Sequence, residues 1–151
     1  MRTATIRVTA IEHGSEAWRI AVELRREVLR QPLGMSFTQE QLDSECDALL
    51  YAAYVVDGAN ERLAATAFFI PLDAGRVQLR QMAVAPDLQR CGAGRTLLEH
   101  MERDARSRGY TEIVAEARVS ALPFYAKLGY IASGAIYEHV GLPHRMISKR
   151  L

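Results

Sequence analysis

One stretch constrains the fold of this chain more than any other. A strand-like stretch, Val77–Val84, gives way across a loop holding Gly92 and Gly94 to a helical pattern. Leu97, Leu98, Met101 and Ala105 keep helical spacing, Gly109 supplies a stop, and Glu112–Glu116 reads as a short buried strand. Two strands joined through a helix cannot form a hairpin. They are expected to be parallel neighbours in one sheet, joined by a crossover.

The elements around this unit read differently. Thr5–Thr9 alternates as a strand, and Ser15 is placed to cap a helix carrying Trp18, Val22, Leu24, Val28 and Leu29, which Pro32 and Gly34 end. A short helix near Thr38–Cys46 carries a capping signature, Thr38 with Gln41 three residues on. Leu50–Val56 and Leu63–Ile70 read as strands, turned by Asp57-Gly58-Ala59-Asn60, so that with Val77–Val84 they suggest an antiparallel meander. After Glu116, Ser120–Leu128 reads as a helix closed by Gly129, followed by strands near Ile131–Tyr137 and Met146–Arg150. The expected class is α/β in the α+β sense: a mixed, mostly antiparallel sheet of six to seven strands flanked by about four helices.

With 151 residues and no linker or repeat, the chain is expected to be one domain, residues 1–151. A net charge of +1 offers no composition argument for nucleic acid or an anionic membrane. Cys46 and Cys91 are too few for a disulfide framework, and with no apolar core in Met1–Ile6 they point to a reducing, cytoplasmic setting. His13, His100, His139 and His144 lack ligand spacing, so no metal is expected.

A strand, a glycine loop and a helix start together make a phosphate cradle, because the first helical amides are unpaired and carry partial positive charge. Three cradle types compete for Val84–Arg95. A Walker loop fails because Gln89 and Arg95 stand where Gly and Lys are needed. A dinucleotide fingerprint fails because Leu97 stands where a third glycine belongs. The third type, Gln/Arg-x-x-Gly-x-Gly/Ala, is met by Gln89-Arg90-Cys91-Gly92-Ala93-Gly94.

That loop, the preceding Leu79–Val84 and the later Ala121-Leu122-Pro123-Phe124-Tyr125-Ala126-Lys127-Leu128-Gly129-Tyr130 together resemble the GCN5-related N-acetyltransferase (GNAT) superfamily. Leu24–Arg30 with Pro32-Leu33-Gly34, and Tyr137–Met146, resemble its ElaA-like branch. The resemblance implies an enzyme that moves an acetyl group from acetyl-CoA to an amine acceptor, either small or peptidic, in a ternary complex. It implies a sheet splayed between its fourth and fifth strands, with a bulge in the fourth. The pantetheine arm would bond the main chain at Met82, Ala83 and Val84, and the pyrophosphate the amides of Arg90, Cys91, Gly92, Ala93, Gly94 and Arg95 beside Gln89. Phe124 and Tyr125 would border the cofactor, with Tyr125 as general acid and Glu116 as the best-placed base, although related sequences tend to carry Asn there.

Acceptor contacts are expected among Arg25, Arg30, Arg80, Arg118, Glu138, His139 and His144. Each has a plainer reading as a surface or packing residue, and Tyr125 has one as a core aromatic. Cys91 at a helix start has no neighbouring base and is not expected to act as a nucleophile. A homodimer is the commonest assembly for such a chain. Two other functions stay open: a non-catalytic acyl-CoA-binding or sensing domain, and a small interaction domain whose glycine loop is only a turn.

Overall fold

The computed structural model describes residues 5–151. Seven strands form one sheet in the order β1-β2-β3-β4-β5-β7-β6: β1 (Thr5–Ile11), β2 (Leu49–Asp57), β3 (Asn60–Pro71), β4 (Arg76–Val84), β5 (Glu112–Arg118), β6 (Ile131–His139) and β7 (Leu142–Arg150). The helices are α1 (Glu16–Arg25), α2 (Gln39–Asp43), α3 (Ala93–Ser107) and α4 (Leu122–Lys127). The chain divides into two compact units, Met1–Phe69 with Gln81–Met101, and Ile70–Arg80 with Glu102–Leu151.

In the first unit, β1, β2 and β3 pair antiparallel through tight registers. Asp57 faces Asn60 across a two-residue turn in which Gly58 takes φ 61°. The β2–β3 register shifts at Ala53/Tyr54, leaving Ala64 as the extra residue of a bulge. The Ala64 carbonyl then accepts the Ala85 amide at 2.7 Å, which anchors the chain where β4 ends. Ser15 caps α1 by accepting from the Trp18 amide, and Thr38 and Gln41 form the expected reciprocal box on α2.

The buried stripe of α1 is Trp18, Ala21, Leu24 and Arg25, whereas Val22 lies only half-buried. Burial of an aliphatic or aromatic side chain is worth about 1.5–3 kcal/mol, so Trp18 and Leu24 anchor the helix. Arg25 in that stripe is the surprise. It is 1% exposed and forks onto Glu45, Nη2 to Oε1 at 2.7 Å and Nη1 to Oε2 at 2.9 Å. Removing one member of such a pair costs about 3–5 kcal/mol, because the other is left charged and dry. The α-helix also ends here. Arg26–Arg30 form a π turn in which the Gln31 amide reaches back to the Arg26 carbonyl, where the sequence predicts an α-helix running on to Pro32.

In the second unit, Arg76–Leu79 of β4 pair in parallel with Glu112–Ala115 of β5, as the crossover requires, over four residue pairs. β5 pairs antiparallel with β7 from Glu112↔Arg150 to Arg118↔His144. β6 lies outside β7. The last strand begins at Leu142, four residues before the sequence predicts. Its hairpin turns on Val140 and Gly141, both left-handed at φ 47° and 76°. A primed turn of this kind is normally announced by Asn-Gly or Asp-Gly, and a β-branched residue at its first position conceals it. Likewise α4 starts at Leu122 with Pro123 in its first turn, after a 3₁₀ turn over Val119–Ala121.

Both α3 and α4 end in the same closure. Gly109 and Gly129 take φ 91°. The following amides, Tyr110 and Tyr130, reach back to Ala105 and Tyr125 at 3.0 and 3.1 Å. A Cβ at Gly109 would meet no atom within 4 Å, so its need for glycine is purely torsional. Gly109→Ala is therefore expected to destabilise the protein by about 1–2 kcal/mol, and Gly109→Asn by less, as read from urea unfolding midpoints.

Candidate functional site

The loop after β4 is built from three local constraints. Pro86–Leu88 form a 3₁₀ turn whose Asp87 bonds the Arg62 guanidinium at 2.7 Å, holding the Asp87 carboxyl below its usual range. Arg90 and Gly92 are both left-handed, at φ 69° and 87°. The first α-helical bond of α3 runs from the Thr96 amide to the Gly92 carbonyl at 2.9 Å. The amides of Gly92, Ala93, Gly94 and Arg95 therefore have no intrahelical acceptor, and they sit at the positive end of a helix fifteen residues long. A Cβ at Gly92 would come no nearer than 4.0 Å to Ile6 Cδ1, so glycine is required there by its backbone angle. Arg90 and Cys91 are exposed, and Arg95 is committed to Glu99 at 2.6 Å, one turn on. The loop can offer an anion several N–H donors, with Arg90 as adjoining positive charge.

In the second unit, Tyr125 lies in α4 and is 9% exposed. Its ring meets those of Phe124 and Tyr130 edge-on, at 5.1 and 5.5 Å. Burial pushes its phenol up to about 12. Tyr130 is fixed in turn, because its hydroxyl donates to Glu102 Oε2 at 2.8 Å. Lys149 Nζ bonds both Glu102 oxygens and the Leu128 carbonyl. Burial, then the charge and hydrogen bond of Glu102, push the Tyr130 phenol strongly upward. Tyr125 thus sits on a braced helix end as a neutral phenol able to donate a hydrogen bond.

Glu116 lies in β5 with its side chain 41% exposed. Alternation along the paired strands puts Glu116 and Arg118 of β5, His144 and Met146 of β7, and Tyr137 and His139 of β6 on one face. His139 Nε2 is 3.9 Å from Glu116 Oε2. The His139 ring stands nearly perpendicular to that of buried His144, 5.1 Å away, and the Tyr137 ring lies 6.2 Å from it. His144 Nδ1 faces the Leu142 carbonyl at 2.9 Å, so that nitrogen carries the proton and donates. Tyr137 also contacts Met146 Sδ at 3.5 Å; burial, then the charge of Glu116 and a hydrogen bond to it, raise its phenol.

The sequence-predicted acceptor residues separate accordingly. Glu116, His139 and His144 come together, with Arg118 on the same face. Glu138 turns to the opposite face and borders a surface depression with Ile136 and Pro143. Arg80 is exposed and bonds Gln78 at 2.7 Å. Arg30 lies over the Phe37 ring at 5.0 Å and donates to the Leu29 carbonyl. Arg25, expected among the acceptor contacts, is buried and paired with Glu45. Sequence reasoning missed Glu45, Gln81, Glu102, Tyr137 and Lys149. Each partner is far away in the chain, and only the capping box left a local trace.

The acetyltransferase (GNAT) family model matches residues 18–130. A Salmonella typhimurium [ribosomal protein bS18]-alanine N-acetyltransferase is 40% identical over 76 residues, which is 48% of this chain and 50% of the relative. The chain thus spans about half the length of that curated relative. Escherichia coli ElaA has a similar fold at 19% identity, with TM-score 0.76 over 96% of this chain and 99% of the other. So does a GNAT family acetyltransferase from Elizabethkingia anophelis solved with acetyl-CoA bound, at 18% identity and TM-score 0.72, covering 97% and 98%.

The Tyr125 environment has a measurable consequence. Folding favours its protonated form, so the stability this burial contributes is complete below pH 10 and is lost as pH rises through about 12. A difference titration of phenolate absorbance, wild type against Tyr125→Phe, is expected to show the missing group ionising near 12 rather than 10.

Proposed function

The chain belongs to the acetyltransferase (GNAT) family, and from that premise we propose that residues 1–151 work as one domain that transfers acetyl from acetyl-CoA to an amine. The observation that carries this reading is the head of α3, where the amides of Gly92–Arg95 have no intrahelical acceptor and follow two left-handed residues. A diphosphate meets those donors without desolvating a side-chain cation. Met82, Ala83 and Val84 supply main-chain groups to the pantetheine arm, with Gln89, Arg90 and Cys91 flanking the diphosphate and Phe124 and Tyr125 at the thioester end.

The amine nitrogen attacks the thioester carbonyl carbon. A C–N bond forms, the C–S bond breaks, CoA leaves as the thiolate, and the second proton shed by the nitrogen as it becomes an amide goes to solvent. Tyr125 meets the developing negative charge on sulfur. With its phenol near 12 and a thiol at about 8.5, the tyrosine keeps the proton and stabilises the thiolate by a hydrogen bond. An alkylamine has a pKa of about 10.4 and must lose a proton before it attacks. Glu116 receives that proton, with His139 beside it to pass it to solvent. The alanine of a ribosomal protein on which the Salmonella relative acts is one instance of the acceptor class. Exposed thiols at Cys46 and Cys91 suit a reducing, cytoplasmic setting, and a homodimer is the assembly to look for by size-exclusion chromatography.

Acetyl-CoA is expected to raise the melting temperature in proportion to the logarithm of its concentration. Gly92→Val is expected to abolish that rise. With an accepting amine, Tyr125→Phe lowers kcat about 10²-fold with little change in KM, and Glu116→Gln moves the rising limb of the pH profile upward. Both are read by thiol release. Tight acetyl-CoA binding with no thiol release across a broad amine panel would instead identify a binding or sensing domain.

A further inference from the structure

Gln81 takes φ 52° in the middle of β4, whose neighbours on either side are extended. Glycine relieves this angle and glutamine does not, so the surroundings must hold it. The holding contact is the Arg25 guanidinium, whose Nη1 lies 3.4 Å from Gln81 Oε1. The same Nη1 donates to Glu45, so one buried nitrogen ties α1 to Glu45 and to β4. The guanidinium lies over the rings of Phe68 and Phe37, at 5.0 and 5.5 Å, and Trp18 Nε1 donates to Glu45 at 3.3 Å. Two residues beyond Gln81, Ala83 packs against Leu24, the α1 neighbour of Arg25.

Stability alone does not explain this arrangement. An apolar cluster of equal volume often does as well as a buried ion pair, and Arg25 Nε is buried with no hydrogen-bond partner. An apolar cluster cannot, however, supply a directional donor to an amide side chain.

We propose that the buried Arg25–Glu45 pair is a positioning device for the cofactor: by holding the Gln81 side chain it fixes the left-handed backbone at 81, and so the direction of the main-chain groups of Met82–Val84. This rests on the reading that those groups bind the arm of acetyl-CoA. In this role the pair acts through the Gln81 side chain, not on the cofactor directly. Arg25 is therefore a positioning residue.

The test uses calorimetry on the full chain with two probes: acetyl-CoA, and ADP, which carries a diphosphate but no arm. Gln81→Met and Gln81→Gly leave the charge pair intact, and Arg25→Lys keeps a cation on Glu45, so none of them strands a buried charge. Gln81→Met is expected to weaken acetyl-CoA about tenfold, the size of one lost hydrogen-bonded constraint, and to leave ADP unchanged. Gln81→Gly should weaken acetyl-CoA less than Gln81→Met does, because glycine takes the left-handed angle unaided. For the same reason, adding Gln81→Gly to Arg25→Lys should recover part of the affinity lost in Arg25→Lys. The inference is overturned if Gln81→Met binds acetyl-CoA like the wild type, or if it weakens both probes equally. Wild type that binds ADP but not acetyl-CoA, or neither, overturns the cofactor reading and this inference with it.

Discussion

The parallel pairing of Arg76–Leu79 with Glu112–Ala115 is the constraint from which the rest follows. Parallel strands cannot be joined by a turn, so the chain must leave β4, travel back, and enter β5 in the same sense. Here α3 makes that return, and a helix start is therefore set at the end of β4. Every helix start exposes amides. What distinguishes this one is the pair of left-handed residues, Arg90 and Gly92, that leads the chain into the helix, whose first four amides have no acceptor within it.

The two units use buried charge in a similar way. Arg25 with Glu45, and Lys149 with Glu102, both combine an ion pair with a hydrogen bond to a further group: Gln81 in the first unit, Tyr130 in the second. In each case the pair ends on a residue next to a candidate functional group. Gln81 precedes Met82–Val84, and the Tyr130 amide closes the helix that carries Tyr125. Pairs of this kind are costly to desolvate and modest as stabilisers. Their value is directional, since a charged donor or acceptor fixes an angle that packing alone leaves loose.

The grouping of side chains on the β5–β7–β6 face depends on alternation. Glu116, Tyr137, His139 and His144 come from three strands and share a face only because the registers place Glu116 beside Met146 and Tyr137 beside His144. A slip of one residue would send each of them to the other side. Glu138, one residue from both Tyr137 and His139, shows the consequence by facing away.

Much of this was legible in the residues. Glycines at 92, 94, 109 and 129, the caps at Ser15 and Thr38, and the shift from strand to helical period after Val84 are local signals with local causes, and the elements formed where those signals stand. The hairpin turn at Val140-Gly141 was obscured because valine rarely takes a left-handed angle. The burial of Arg25 leaves no local trace, because a charged residue on a helix is normally solvated and only a carboxylate twenty positions away makes its burial tolerable. The order of elements and the place of the glycine loop are therefore readable from the residues alone, since both follow from backbone angles that neighbouring residues impose. Tertiary structure alone decided that β7 lies between β5 and β6, that Glu116 meets His139, and that Arg25 faces inward, because each depends on groups brought together only by folding.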